Sequence, residues 1–126
     1  MASLPTPSMN NIRFEEEEFY NWLQTTEYNG QVGLTAKFYV KQGMTTQLRE
    51  VMKKNVDFSN SEKGVLVYKL QADFKDPLVF WLIEEWESVA DLKTHCGTET
   101  YKKNAEVLTP LLDDIVCQLA LYKALD

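Results

Sequence analysis

The chain has 126 residues, enough for one domain with an apolar core and no need of disulfides or metals. Hydrophobic residues make up 44%, charged residues 25%, and the net charge is −6; with no basic stripe or Gly-rich phosphate loop, a nucleic-acid partner is not expected. No apolar run approaches a membrane span, the start MASLPTPSMN is not a secretory signal, and Cys96 and Cys117 form neither a disulfide framework nor a metal site, so a cytoplasmic setting is expected.

Residues 1–11 hold Pro5, Pro7 and small polar side chains and read as a disordered arm. Residues 12–30 read as a helical extension. Phe19, Trp22 and Leu23 stand at i, i+3 and i+4 and make an apolar stripe that folds back on the body. Glu15 to Glu18 occupy the first turn, where the helix dipole favours negative charge, and stay solvated. Asn29 and Gly30 end the helix.

Residues 31–126 form the body. Val32, Leu34, Ala36, Phe38 and Val40 alternate with Thr35, Lys37 and Tyr39, which predicts a strand. Met44, Leu48, Val51, Met52 and Val56 predict a helix, with Thr45 or Thr46 as its cap. A second strand carries Leu66, Tyr68, Leu70 and Ala72 on one face. Lys75, Asp76 and Pro77 make a tight turn. The third strand shows Phe80, Leu82, Glu84 and Trp86 on one face and Val79, Trp81, Ile83 and Glu85 on the other. Ser88 caps a short helix with Asp91 at the capping-box position. That helix holds Val89, Leu92 and His95 and ends at Gly97. Thr98 caps another, with Tyr101, Ala105, Leu108 and Leu112 in line and Pro110 interrupting its last turn. Asp113 and Asp114 read as a turn before a fourth strand, in which Ile115, Cys117, Leu119 and Leu121 alternate with Val116, Gln118, Ala120 and Tyr122.

This order predicts an α+β, ferredoxin-like βαββαβ fold: a four-stranded antiparallel sheet with helices on one face. Helices cover one face only, yet the third strand is apolar on both. Trp81 and Ile83 therefore mark an uncovered face, and a second copy of the chain closing on it predicts a homodimer.

The pattern Phe80…Glu84-x-Trp86-x-Ser88…Ala90-x-Leu92…His95…Thr98…Tyr101 resembles the antibiotic biosynthesis monooxygenase (ABM) domain, over about residues 31 to 123. The resemblance implies a dimeric α/β barrel with a pocket between sheet and helices. It implies oxidation of an electron-rich aromatic (anthrone, quinol or polyketide phenol) by O₂, with no metal, flavin or other cofactor. Carried over by position, Trp86 matches the strand Trp, Glu84 the strand Glu and His95 the first helical His. Members often read His-x-x-Thr-Pro-His-Phe where this chain reads HCGTETY, so Thr100 replaces the second His and Tyr101 the Phe. No His stands near Ala105, so haem degradation is not expected.

Such chemistry needs a base, a dry pocket and donors for an anionic oxygen. His95, the only histidine, is the candidate catalytic base because its ordinary pKa lies near neutrality. Tyr68 and Tyr101 are candidate donors, and Trp86, Phe38 and Phe80 a flat pocket wall. Glu84 pairs with a Lys, caps backbone donors, or serves as a base if burial raises its pKa. Cys96 beside His95 is not a nucleophilic pair, since adjacent helical side chains point apart. Two other classes remain open: a non-oxidative isomerase, cyclase or dehydratase, and a non-catalytic dimeric small-molecule-binding or stress protein.

Overall fold

A computed structural model describes residues 8–125, with side chains described over 17–113 and 123–125. The elements are α1 (Ser8–Thr25), β1 (Val32–Val40), α2 (Thr45–Ser59), β2 (Val65–Ala72), β3 (Val79–Trp86), α3 (Val89–Cys96), α4 (Glu99–Leu108) and β4 (Leu112–Lys123), with a 3₁₀ turn at Thr109–Leu111. The four strands make one antiparallel sheet in the order β2-β3-β1-β4. This is the ferredoxin-like arrangement expected from the alternation of residue types. Helix α1 begins at Ser8, ahead of the expected boundary at residue 12. Of the arm expected over residues 1–11, residues 8–11 are therefore helical, while residues 1–7 lie outside the described ones, as do the side chains of Glu15 and Glu16.

The even-numbered side chains of β1 and β3 point to the helices. Leu34, Ala36, Phe38, Leu82 and Trp86 are buried there with Leu48 and Met52 of α2, Leu92 of α3 and Leu108 of α4. Helix α1 joins the same layer through Phe19 and Leu23 and runs beside β4. Among the described residues, it does not cover the opposite sheet face. On that outer face Trp81 and Ile83 are half-buried. The Trp81 indole N–H donates to Asp73 Oδ1 at 2.9 Å, and Lys37 sits 5.1 Å over the Trp81 ring. Asp73 also accepts the backbone N–H groups of Lys75 and Asp76, which folds the β2–β3 turn. Those donors, Trp81 foremost, hold its carboxyl down at about 2.

Two local signals hold in detail. Ser88 accepts the Asp91 N–H at the start of α3, and Thr98 accepts the Tyr101 N–H at the start of α4. One does not. Neither Thr45 nor Thr46 caps α2, because the turn through Gly43 (φ 83) delivers Met44 to the N-cap position, without a side-chain bond. Pro110 ends the last helical run in the 3₁₀ turn, so Leu112 opens β4 and does not continue the helix. Among the described residues, no helix is long and apolar enough to cross a membrane.

Candidate functional site

Antiparallel register places Tyr68 of β2, Glu84 of β3 and Leu34 of β1 in one row across the sheet. Above this row a cavity of about 250 Å³ opens between the sheet and the helices. The sheet contributes Leu34, Ala36, Phe38, Tyr68, Leu82 and Glu84; α2 contributes Met52 and Asn55. Tyr101, Ala105 and Leu108 come from α4, and Phe19 and Tyr20 from α1.

Two carboxylates of the sheet line it: Asp113, at the start of β4, is exposed, whereas Glu84 is buried, 4% exposed. The i, i+2 spacing of a strand puts Trp86 on the same face. The Trp86 indole N–H donates to Glu84 Oε1 at 3.0 Å. Burial dominates nonetheless: it pushes the carboxyl up to about 7, the Trp86 bond opposes that rise, and the charge of Glu62 adds to it. Glu84 therefore changes charge near neutral pH.

His95 takes a different place. Burial of α3 through Val89, Leu92 and His95 draws the imidazole against the Trp86 ring, at 4.8 Å between centroids. Tyr101 and Tyr68 close around it at 5.2 and 5.4 Å. His95 Nδ1–H donates to Glu62 Oε1 at 2.6 Å, and the buried Nε2 has no partner. The loss of water lowers its pKa, against the pull of Glu62. Burial thus favours the neutral ring, which does not line the cavity.

Of the residues singled out in the sequence, Tyr68, Tyr101, Phe38 and Glu84 meet around the cavity. Trp86, Phe80 and His95 do not line it; Trp86 reaches it only by holding Glu84. The Phe80 ring lies under the Arg49 guanidinium at 5.2 Å. Burial pushes the Cys96 thiol up to about 12, so it stays protonated. Burial also raises the Tyr68 and Tyr101 hydroxyls, which are donors at neutral pH.

Sequence reasoning passed over Asn55 and Tyr20. Asn55 donates from Nδ2 to the Tyr68 hydroxyl at 2.9 Å, and its Oδ1 is buried without a partner. The usable signal was its place on the stripe Leu48, Met52, Asn55, Ser59, where two polar residues occupy core spacing. The Tyr20 and Tyr101 hydroxyls lie 2.6 Å apart. Nothing in the spacing of α1 pointed to that pairing.

Residues 31–107 match the family described as antibiotic biosynthesis monooxygenase, which leaves α1 outside the matched region. Among solved structures, a Caulobacter crescentus protein described as a candidate antibiotic biosynthesis monooxygenase has a TM-score of 0.74 at 22% identity, over 79% of this chain and 93% of that one. A Pseudomonas aeruginosa protein has a TM-score of 0.70 at 25% identity, over 80% and 100%. A Mycobacterium tuberculosis protein has 0.71 at 22% identity, over 77% and 97%. These likenesses establish the fold. No curated protein matches the chain.

Proposed function

Because the chain belongs to the antibiotic biosynthesis monooxygenase family, we propose that it oxygenates a small electron-rich hydroxyarene with O₂, with Glu84 as the base. The observation that carries this reading is a buried carboxyl on the wall of a mainly apolar cavity, flanked by two tyrosines. A hydroxyarene must lose a proton before its ring can hand electrons to O₂. The Glu84 carboxylate accepts that proton at a site that excludes water. Tyr68 and Tyr101, which line the cavity, steady the oxyanion with O–H donors in this reading. For a quinol the balance closes without another reductant. One oxygen atom enters a ring C–H position, the other leaves as water, and the four electrons come from the quinol as it becomes a hydroxyquinone.

Cavity size narrows the substrate. An apolar cavity of roughly 150 Å³ holds one benzene ring. About 250 Å³ therefore suits one or two fused rings, and a tricyclic anthrone overfills it unless the helices part. In this reading His95 is a positioning residue. Its ring packs on Trp86, and Trp86 orients Glu84. The proposal includes a homodimer closed through Trp81 and Ile83 on the outer face, which Trp81→Glu is expected to disrupt by burying an unpaired charge. A wild-type chain that sediments as a monomer at micromolar concentration would remove this part.

The test is O₂ uptake with para-dihydroxynaphthalene. Equal consumption of quinol and O₂, with hydroxyquinone formed and no peroxide released, is the expected result. Conversion of the substrate under nitrogen would overturn oxygenation in favour of a non-oxidative reaction. Activity retained in Glu84→Gln but lost in His95→Ala would transfer the base to the imidazole.

A further inference from the structure

Asn55, which lines the same cavity, carries a polar atom that the chemistry above does not use. Asn55 is 4% exposed, and its side chain has two polar ends. The Nδ2 end is tied to Tyr68, so the amide cannot swing freely. The Oδ1 end is buried and unpartnered. A buried carbonyl left without a donor is destabilising. Ser59, one turn further along α2, is also buried, but it does not line the cavity. Asn55 does. It also lines a groove of about 400 Å³ between α2 and α4, so it stands where that groove meets the cavity. Asn104 of α4 lines both as well, across from it.

Tyr68 sets the spatial relation to Glu84. It is opposite Glu84 in the β2–β3 register, and its hydroxyl takes the Asn55 bond. The cavity thus has a proton acceptor in its sheet wall and, in its α2 wall, Asn55, whose carbonyl oxygen is buried without a donor; Tyr68 links the two.

We propose that Asn55 determines specificity: its Oδ1 accepts a hydrogen bond from a second hydroxyl of the substrate, so the site selects dihydroxyarenes over arenes with one free hydroxyl. The inference rests on the reading above only in placing the first hydroxyl at Glu84. A ligand donor at Asn55 satisfies an atom the empty fold leaves bare, whereas a methoxy group brings a second acceptor against the carbonyl. The contrast therefore combines a gained bond with an avoided repulsion.

The test is equilibrium binding under nitrogen, where no turnover occurs. Three probes are compared: para-dihydroxynaphthalene, its monomethyl ether and naphthol. Wild-type protein is expected to bind the diol about 5- to 30-fold more tightly than either analogue, the range for one buried neutral hydrogen bond. Asn55→Leu, with a side chain of similar size, is expected to erase that preference and keep its affinity for naphthol. Thermal unfolding checks that the variant folds. If it does not, the Asn55 side-chain amide resonances of the wild-type protein decide: they shift with the diol and not with the ether. Equal wild-type affinity for diol and ether overturns the inference, and so does a preference that survives in folded Asn55→Leu. A diol preference without O₂ uptake leaves Asn55 in place and removes the oxygenase reading. Failure of all three probes to bind overturns both.

Discussion

Glu84 and His95 lie on either side of Trp86, and both are stripped of water. Glu84 is 4% exposed and His95 1%. The same physical loss moves them in opposite directions, because it disfavours the charged form of each. The carboxyl rises to about 7, and the imidazole falls below its ordinary 6.5. Their surroundings differ more than their burial. Glu84 opens on a cavity. His95 is enclosed by three aromatic rings and tied to Glu62. A titratable group does chemistry where a ligand can reach it, and intrinsic pKa alone does not say where that is.

The largest expected effect comes from breaking the Glu84 side. Glu84→Gln keeps the shape and the Trp86 contact but cannot take a proton. It is expected to lower kcat/KM for a quinol by about 10²-fold or more. The wild-type rate is expected to rise with pH through about 7, and the variant to lose that limb. Stability is expected to move the other way. The native carboxyl holds its proton more tightly than an unfolded one, so stability falls as pH rises from the ordinary 4.5 through about 7. The penalty at pH 8 is on the order of 3 kcal/mol. Glu84→Gln is expected to melt higher than wild type at pH 8 and close to it near pH 4.5. A variant equally shifted at both pH values would mean that Glu84 is not held near neutrality.

Breaking the His95 side is expected to cost stability more than rate. His95→Ala empties a packed site and leaves Glu62 without its donor, a loss of about 2–4 kcal/mol in chemical denaturation. Turnover per folded molecule is expected to stay within about tenfold, since the ring does not line the cavity. The pH dependence gives the sign. A group whose folded pKa is depressed contributes stability above its ordinary pKa and loses it as pH falls, so wild-type stability is expected to drop below about pH 6.5. The variant is expected to lack that drop. A rate loss as large as that of Glu84→Gln, in folded protein, would erase the distinction between the two sides.

Trp86 joins them, and Trp86→Phe separates them. It keeps an aromatic ring against His95 and removes the N–H that lowers the Glu84 pKa. The limb of the rate profile is expected to move to higher pH, with a stability cost of about 1–3 kcal/mol. An unmoved limb would show that the indole bond does not tune the carboxyl.

The two sides were unequally legible. Alternation along β1 and β3 revealed the sheet, because a one-residue slip would bury Lys37 and Glu85 in place of Leu34 and Leu82. Ser88, Asp91 and Thr98 announced α3 and α4 through local bonds that need no tertiary context. Parity told which face Phe38, Phe80, Glu84 and Trp86 share. It did not tell which helix covers which part. The short α3 fills the Trp86 end with Val89, Leu92 and His95, while α2 and α4 leave space over the Glu84 row. That division depends on helix length and crossing, which no spacing encodes. Asn55 was hidden for a related reason: a binary apolar pattern discards a polar residue on a core stripe, and that residue is the informative one.

The smallest expected effect concerns the cavity wall that makes the Glu84 side accessible at all. Phe19 and Tyr20 line it from α1, which lies outside the family match. The Tyr20 hydroxyl meets that of Tyr101 at 2.6 Å, so this added helix touches one of the two donors proposed for the oxyanion. Tyr20→Phe removes one hydroxyl and little apolar area. A part-buried neutral hydrogen bond contributes about 0.5–1.5 kcal/mol. The change is therefore expected to raise KM about two- to tenfold and leave kcat within about twofold, because Glu84 and its bond to Trp86 are untouched. Phe19→Ala opens the same wall by volume, and it is expected to raise KM for one-ring quinols more than for two-ring quinols, which still fill the widened space. If neither substitution changes KM, while Phe19→Ala lowers stability as core truncations do, then α1 covers the sheet without shaping what binds. The cavity would then be defined by the sheet, α2 and the segment from α4 to the start of β4.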